Sequence, residues 1–291
     1  MVFKIRQCLI PLESGQAVRR GWTEATQGRP MGITWHWTAT ADLATCRRVI
    51  GGENAERKGI ASAHFAVGRS FAEGVDAYVA IENRAWHAGI NQTLRWDGKL
   101  SDQTTKGSRA TIGVETVNIG YARPGVPAAA DWIQCASADN RHILKIQPWA
   151  NEQLEMMIAV GRQIVERWNH IGIRDHHGHN DICPGYKDDV AGFPYAQVLK
   201  GIYEQEVPDI WKAFALPIQR QKALRLLGYE LGISGANHDG VDGLWGKVSD
   251  VALTKFQQES GLVPNGQWST FVSWKVFDGL TARRIPLADV G

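Results

Sequence analysis

"TIGVETVNI", residues 111–119, decides how the rest of the chain is read. Its β-branched residues suit a pleated strand. Side chains alternate along a strand, so Ile112, Val114, Thr116 and Asn118 face one way and Gly113, Glu115 and Val117 the other. Glu115 is thereby set among small and apolar neighbours, where a carboxylate is costly unless it is partnered or used. A strand of this kind needs companions. "GITWHWTA" (32–39) reads as one, ending near His36, and "SAHFAVGRS" (62–70) and "VDAYVAI" (75–81) read as two more around a turn near Glu73-Gly74. The strongest helix runs from about Asn151 to Trp168, with Leu154, Met157, Ile158, Gly161, Val165 and Trp168 on one face at spacings of three and four. This order of elements predicts an α/β fold, a mixed central β-sheet flanked by helices.

The chain is long enough, at 291 residues, for two domains. The first is expected over 1–203 and a linker over 204–215. A small C-terminal domain of three helices is expected over 216–285, from "IQRQKALRLLGYELG", "VSDVALTKFQQESG" and "FVSWKVFDGL". A chain ending near Ala215 is then expected to fold by itself, the alternative being that Ile210, Trp211 and Phe214 dock the two units on a shared core. Within the second unit the phrase Asp/Asn-Gly-x-Trp occurs twice, at Asp242–Trp245 and Asn265–Trp268. Residues 120–148 form a long connection of the kind that serves as a lid or binding loop.

A net charge of +2 implies no general polyanion-binding surface, so no nucleic-acid partner is expected. No stretch approaches the roughly 18 apolar residues of a membrane span. The N-terminal "MVFKIRQCLIPLESGQAVRRGW" lacks the apolar run and cleavage site of a secretory leader, so synthesis in the cytoplasm and a route outward without such a signal are expected. The four cysteines, Cys8, Cys46, Cys135 and Cys183, contain no CxxC pair and read as free thiols.

The loop "DICPGYKDDVAGFPY" (181–195) follows "HHGH" and mixes glycines, prolines and charges that helices and central strands rarely tolerate. Histidine, aspartate and cysteine are the candidate metal ligands here. His36 ends a strand. His179 and Asp189 converge only if the intervening loop folds back, which the glycines and prolines at 184, 185, 192 and 194 permit. A His₂Asp set leaves one tetrahedral position open, as catalytic zinc requires. His176, His177 and His179 are crowded together, and spacing alone does not choose among them.

Five stretches in order, "TWHWTAT", "SAHFAVGR", "AWHAG", "TIGVE" and "GHNDICPGYKDD", resemble the zinc-dependent N-acetylmuramoyl-L-alanine amidases of the second amidase family, which also includes phage lysozyme-type amidases and peptidoglycan recognition proteins. The likeness covers roughly residues 30–200. It implies one Zn2+ per chain held by His36, His179 and Asp189, with Glu115 as the catalytic carboxylate and Lys187 as the cation near the oxyanion. His64, Trp86 and His87 fall at positions implied to lie around the substrate groove, with the two histidines either lining it or standing just behind the metal ligands. Two departures stand out: Cys183 is not at the position where some relatives use a cysteine ligand, and Ala63 replaces the tyrosine that many phage members carry before the histidine of this strand. The C-terminal pattern resembles the three-helix peptidoglycan-binding domain. The implied activity is hydrolysis of the amide between N-acetylmuramic acid and L-alanine, with peptidoglycan or muropeptides as partner. The alternatives are a non-catalytic peptidoglycan-binding protein on the same scaffold and an amide hydrolase acting elsewhere in the stem peptide.

Overall fold

The computed structural model describes residues 3–10, 18–19, 22–23, 29–51, 61–89, 92–102 and 105–291. Much of the N-terminal stretch read for a leader lies outside them. The main sheet has six strands in the order Ile5–Gln7, Val75–Ala77, Phe65–Val67, Thr111–Thr116, Gly32–Trp37 and His176–Gly178. Phe65–Val67 and Val75–Ala77 are antiparallel and the other neighbours parallel, so the sheet is mixed, as expected. Gly74, at φ 72°, makes the tight return between the antiparallel pair.

The helix Asn151–Arg167 buries Leu154, Met156, Met157, Val160, Gly161 and Ile164. Its apolar surface is wider than one stripe because it meets a second helix, Tyr195–Tyr203. A Cβ on Gly161 would lie 2.2 Å from Ile202, and one on Gly201 2.4 Å from Ile158, so each glycine lets the facing side chain in. Ile158 and Val165, expected on the main face, are therefore only half-buried at its flank. Inside the long connection the structure adds a hairpin, Ile133–Ala136 against Ile143–Ile146.

Three C-terminal helices follow, Pro217–Leu226, Lys247–Glu259 and Thr270–Ala282. The repeated Asp/Asn-Gly-x-Trp phrase is one turn built twice. Gln221 Oε1 accepts from Gly243 N (2.8 Å), and Gln257 Oε1 accepts from Gly266 N (2.9 Å). Trp245 Nε1 donates to Asp250 and Trp268 Nε1 to Ser273, both at 2.9 Å, and both indoles are buried. The repeat thus serves the core.

These helices share an apolar cluster with Ala88, Ile182 and Cys183 of the preceding part, joined through Ile210 and Phe214 of the expected linker. Polar contacts reinforce it. Trp268 N donates to Ala138 O (2.7 Å), and Arg174 pairs with both oxygens of Asp278 (2.7 Å each). Buried Arg220 donates from Nε to Phe214 O (2.8 Å) and from Nη1 to Ser137 O (3.0 Å). No helix among the described residues is long and apolar enough to cross a membrane.

Candidate metal centre and active site

Strand register brings the first two residues together. His36 lies directly opposite Glu115 on the neighbouring parallel strand, so both side chains leave the same face. On the other side of the Gly32–Trp37 strand runs His176–Gly178, and the chain turns from it into the short helix His179–Ile182. His179 is therefore delivered at the same end of the sheet as His36. The loop after it folds back: Val190 N donates to Asn180 Oδ1 (3.2 Å), with Gly185 and Gly192 at positive φ, and Asp189 returns to His179. A side chain at Gly178 would collide with Asn180 Oδ1 at 2.4 Å and press on Val190 N at 3.0 Å.

Three ligand atoms meet there. His36 Nδ1 is 3.1 Å from His179 Nδ1 and 3.1 Å from Asp189 Oδ2, and His179 Nδ1 is 3.0 Å from Asp189 Oδ2. All three residues are buried, and together they form the potential metal-holding group among the described residues. Ligand atoms around tetrahedral zinc, at bonds of about 2.0–2.1 Å, stand about 3.3 Å apart, so this triangle fits the ion closely. Burial draws the pKa of His36 down to about 4, against the pull of Asp189. Burial also opposes charge on His179, but the adjoining Asp189 carboxylate outweighs it and raises its pKa to about 10. Asp189, despite burial, is held well below the usual carboxylate range by the same two histidines, His179 first. A cation is thus already favoured at this spot, and an incoming metal ion would displace a proton from it.

Glu115 has a buried Oε2 with no hydrogen-bond partner. Burial, helped by the charge of Asp189, raises its pKa to about 8, while His179 and Lys187 pull the other way. Such a group sits near neutrality as a proton carrier. The charge of Lys187 acts on both Glu115 and His36. Lys187 also lines an open cleft of about 390 Å³ with Tyr121, Asp139, His142, Tyr186 and, from the turn before the helix Thr270–Ala282, Gln267. Gln267 is a cleft residue that sequence reading missed, because nothing in "NGQW" marks which surface the turn abuts.

The crowded histidines separate cleanly. His176 accepts from Trp35 Nε1 at Nδ1 (3.2 Å) and meets the Tyr203 hydroxyl at Nε2 (2.8 Å), while His177 Nε2 meets the Thr34 hydroxyl (2.9 Å). Neither reaches the triangle. His64 is fully buried, accepting from Gly113 N at Nδ1 (3.0 Å) and donating to Asn83 O from Nε2 (3.0 Å). His87 is 4% exposed, with one ring nitrogen on His36 and the other on Thr111 O. Both rings lie beneath the surface with their nitrogens engaged. Trp86 is half-buried, its backbone paired with Ser62. Cys183 is buried, its thiol on Ala88 O (3.5 Å), and stays outside the ligand set.

A mixed sheet here carries a buried His-His-Asp triangle that could hold a metal ion, beside a glutamate with one buried oxygen free of hydrogen bonds, an arrangement suited to hydrolysis. Residues 26–189, more than half of the chain, match the family profile described as N-acetylmuramoyl-L-alanine amidase, and the chain belongs to that family. It is a peptidoglycan amidase, cutting the amide bond between N-acetylmuramic acid and the L-alanine of the stem peptide. Among solved structures, it is similar to the amidase AmiD from E. coli in complex with the substrate anhydro-N-acetylmuramic acid-L-Ala-D-gamma-Glu-L-Lys. The identity is 20% over 89% of this chain and 92% of that one, with a TM-score of 0.49. AmpDh3 from Pseudomonas aeruginosa in complex with anhydromuramic pentapeptide is 18% identical over 95% of this chain and 100% of that one, with a TM-score of 0.48. The catalytic domain of XlyA is 20% identical over 68% and 99%, with a TM-score of 0.41. A search of curated proteins by sequence gives no match.

Proposed function

We propose that the amidase works with one zinc ion held by His36, His179 and Asp189, with Glu115 as its acid-base group and Lys187 as the cation facing the oxyanion. The observation that carries this reading is the triangle of ligand atoms at 3.0–3.1 Å, with Glu115 in register beside His36. When bound, zinc supplies a Lewis acid that brings the pKa of a water to about 7 and polarises a carbonyl. Glu115 takes the proton of the attacking water as its oxygen adds to the amide carbon. The same carboxyl then gives that proton to the nitrogen as the C–N bond breaks, releasing the stem peptide with a free L-alanine amino group. Burial raises the pKa of Glu115, and a bound cation would lower it toward the ionised form that takes the proton. Lys187 places positive charge where the carbonyl oxygen becomes negative, and such a donor is typically worth about 10²–10³ in rate.

The substrate we infer is peptidoglycan or its muropeptides, entering by the cleft beside Lys187, and the place of action is the bacterial wall. Trp86, half-buried, remains the candidate for stacking on the sugar or peptide. We assign the C-terminal helices a wall-holding role on the pattern of their sequence, with Trp245 and Trp268 excluded as stacking groups because both are buried. Mass analysis of products from purified sacculi tests the reading. Stem peptides beginning with L-alanine should appear, vanish with chelator and return with zinc. Cleavage between amino acids of the stem, or full activity in chelator, would refute it.

A further inference from the structure

The Trp86-His87-Ala88 turn lies directly behind both histidine ligands. His36 Nε2 is 3.1 Å from His87 Nδ1, and His87 Nε2 is 3.0 Å from Thr111 O. His179 Nε2 is 3.1 Å from Ala88 O. We propose that this turn, and His87 above all, is a positioning device for the metal site: it fixes which ring nitrogen of each histidine faces the ion. The proposal rests on the zinc reading above.

The protons follow from which atoms can only accept. Ala88 O is a carbonyl, so His179 Nε2 carries the proton and donates, and its lone pair lies at Nδ1. Thr111 O is also a carbonyl, so His87 Nε2 donates to it. A neutral imidazole has one donor and one acceptor, so His87 Nδ1 accepts, and the donor it meets is His36 Nε2–H. The lone pair of His36 is then at Nδ1 as well. These two Nδ1 atoms are the ones that stand 3.1 Å apart in the triangle. Two consecutive residues thus orient both ligands, one through its ring and one through its carbonyl. A histidine ligand held by its other N–H is locked in tautomer and ring direction, and loss of such a partner typically costs about 10–100-fold in metal affinity.

The seat is built for this turn. A Cβ on Gly113 would lie 2.3 Å from His87 Cγ, so glycine at this point of the strand admits the ring. A Cβ on Gly107 would lie 3.0 Å from Ala88 Cβ and 2.6 Å from Ile182. Ala88 N donates to Ser108 Oγ at 3.0 Å, which holds its carbonyl toward His179.

The test uses the full chain. Zinc affinity is measured by competition with a chromogenic chelator for the unaltered protein, His87→Phe, His87→Gln and Gly113→Ala. Histidine tautomers are read by long-range 1H–15N spectra. His87→Phe fills the space without an acceptor, and Gly113→Ala displaces the ring without changing it; both should weaken zinc about 10–100-fold. His87→Gln, which retains an acceptor oxygen, should lose less. The spectra of the zinc-loaded protein should show protons on Nε2 of His36, His87 and His179. Equal affinity in His87→Phe, or a proton on Nδ1 of His36 or His87, overturns the proposal. If His87→Phe does not fold, the tautomers of the unaltered chain decide. If the unaltered chain binds no zinc, the zinc reading itself fails, and the His87 tautomer in the metal-free protein still decides the orientation.

Discussion

Replacing Asp181 by alanine should loosen the metal loop and the C-terminal helices together. Asp181 is 3% exposed and lies two residues after His179. Its Oδ2 accepts from Gly178 N at 2.7 Å, and its Oδ1 accepts from Thr270 N at 2.8 Å. One carboxylate therefore braces the turn that delivers His179 and sits at the positive end of the helix Thr270–Ala282. Alanine strands two buried N–H groups, at about 1–3 kcal/mol each. Part of this is offset, because burial holds the carboxyl's pKa above its usual range, and that cost of burying charge disappears with it. The net loss should be about 2–4 kcal/mol, against a typical total of about 5–15 kcal/mol. Asp181→Asn keeps the shape and one acceptor and should fall between. Urea unfolding at fixed zinc and pH 7.5 measures the loss, and chelator competition should show weaker zinc binding in the same variant. A change under about 0.5 kcal/mol, the scale of an ordinary surface substitution, would refute the bracing role.

Glu115→Gln and Lys187→Ala should each fold and bind zinc yet lose about two orders of magnitude or more in cleavage of muropeptides, read by product release. A chain ending at Ala215 uncovers Ile182, Ile210 and Phe214, each now at most 1% exposed, at about 1.5–3 kcal/mol per side chain. It should lack a cooperative unfolding transition, and a sharp melt would show the helices to be dispensable. Acid should destabilise the protein early. Burial lowers the pKa of His64 to about 4 and of His176 and His177 to about 3, below the ordinary 6.5. The unfolded chain then binds more protons, so their contribution is whole above pH 6.5 and shrinks as pH falls toward the folded values. At pH 5.5 the three together should remove about 4 kcal/mol, visible as a lower urea midpoint than at pH 7.5.

Much of the site was legible because its residues stand on strongly patterned elements. The alternation in "TIGVETVNI" put Glu115 on a buried face, and the strand ending at His36 is its register partner. The resemblance, rather than spacing, selected His179 from three adjacent histidines; the structure separates them because His176 and His177 lie on the last strand and His179 beyond it. The sequence left open whether His64 and His87 line the groove or stand behind the ligands, since a histidine in a motif looks the same whether it faces a ligand or a carbonyl. The hairpin within 120–148 was hidden by short strands whose residues alternate poorly between exposed and buried. The docking of the C-terminal helices was hidden too. It depends on where Ile182, Asp181 and Arg174 emerge in space, which local pattern does not encode.

The most direct test of the zinc assignment is elemental analysis of the purified chain beside His179→Ala and His176→Ala, each reconstituted with zinc and freed of excess. One zinc per chain in the unaltered protein and in His176→Ala, with none retained by His179→Ala, is the expected result. Zinc retained by His179→Ala at full stoichiometry, or absent from the unaltered chain, would contradict it.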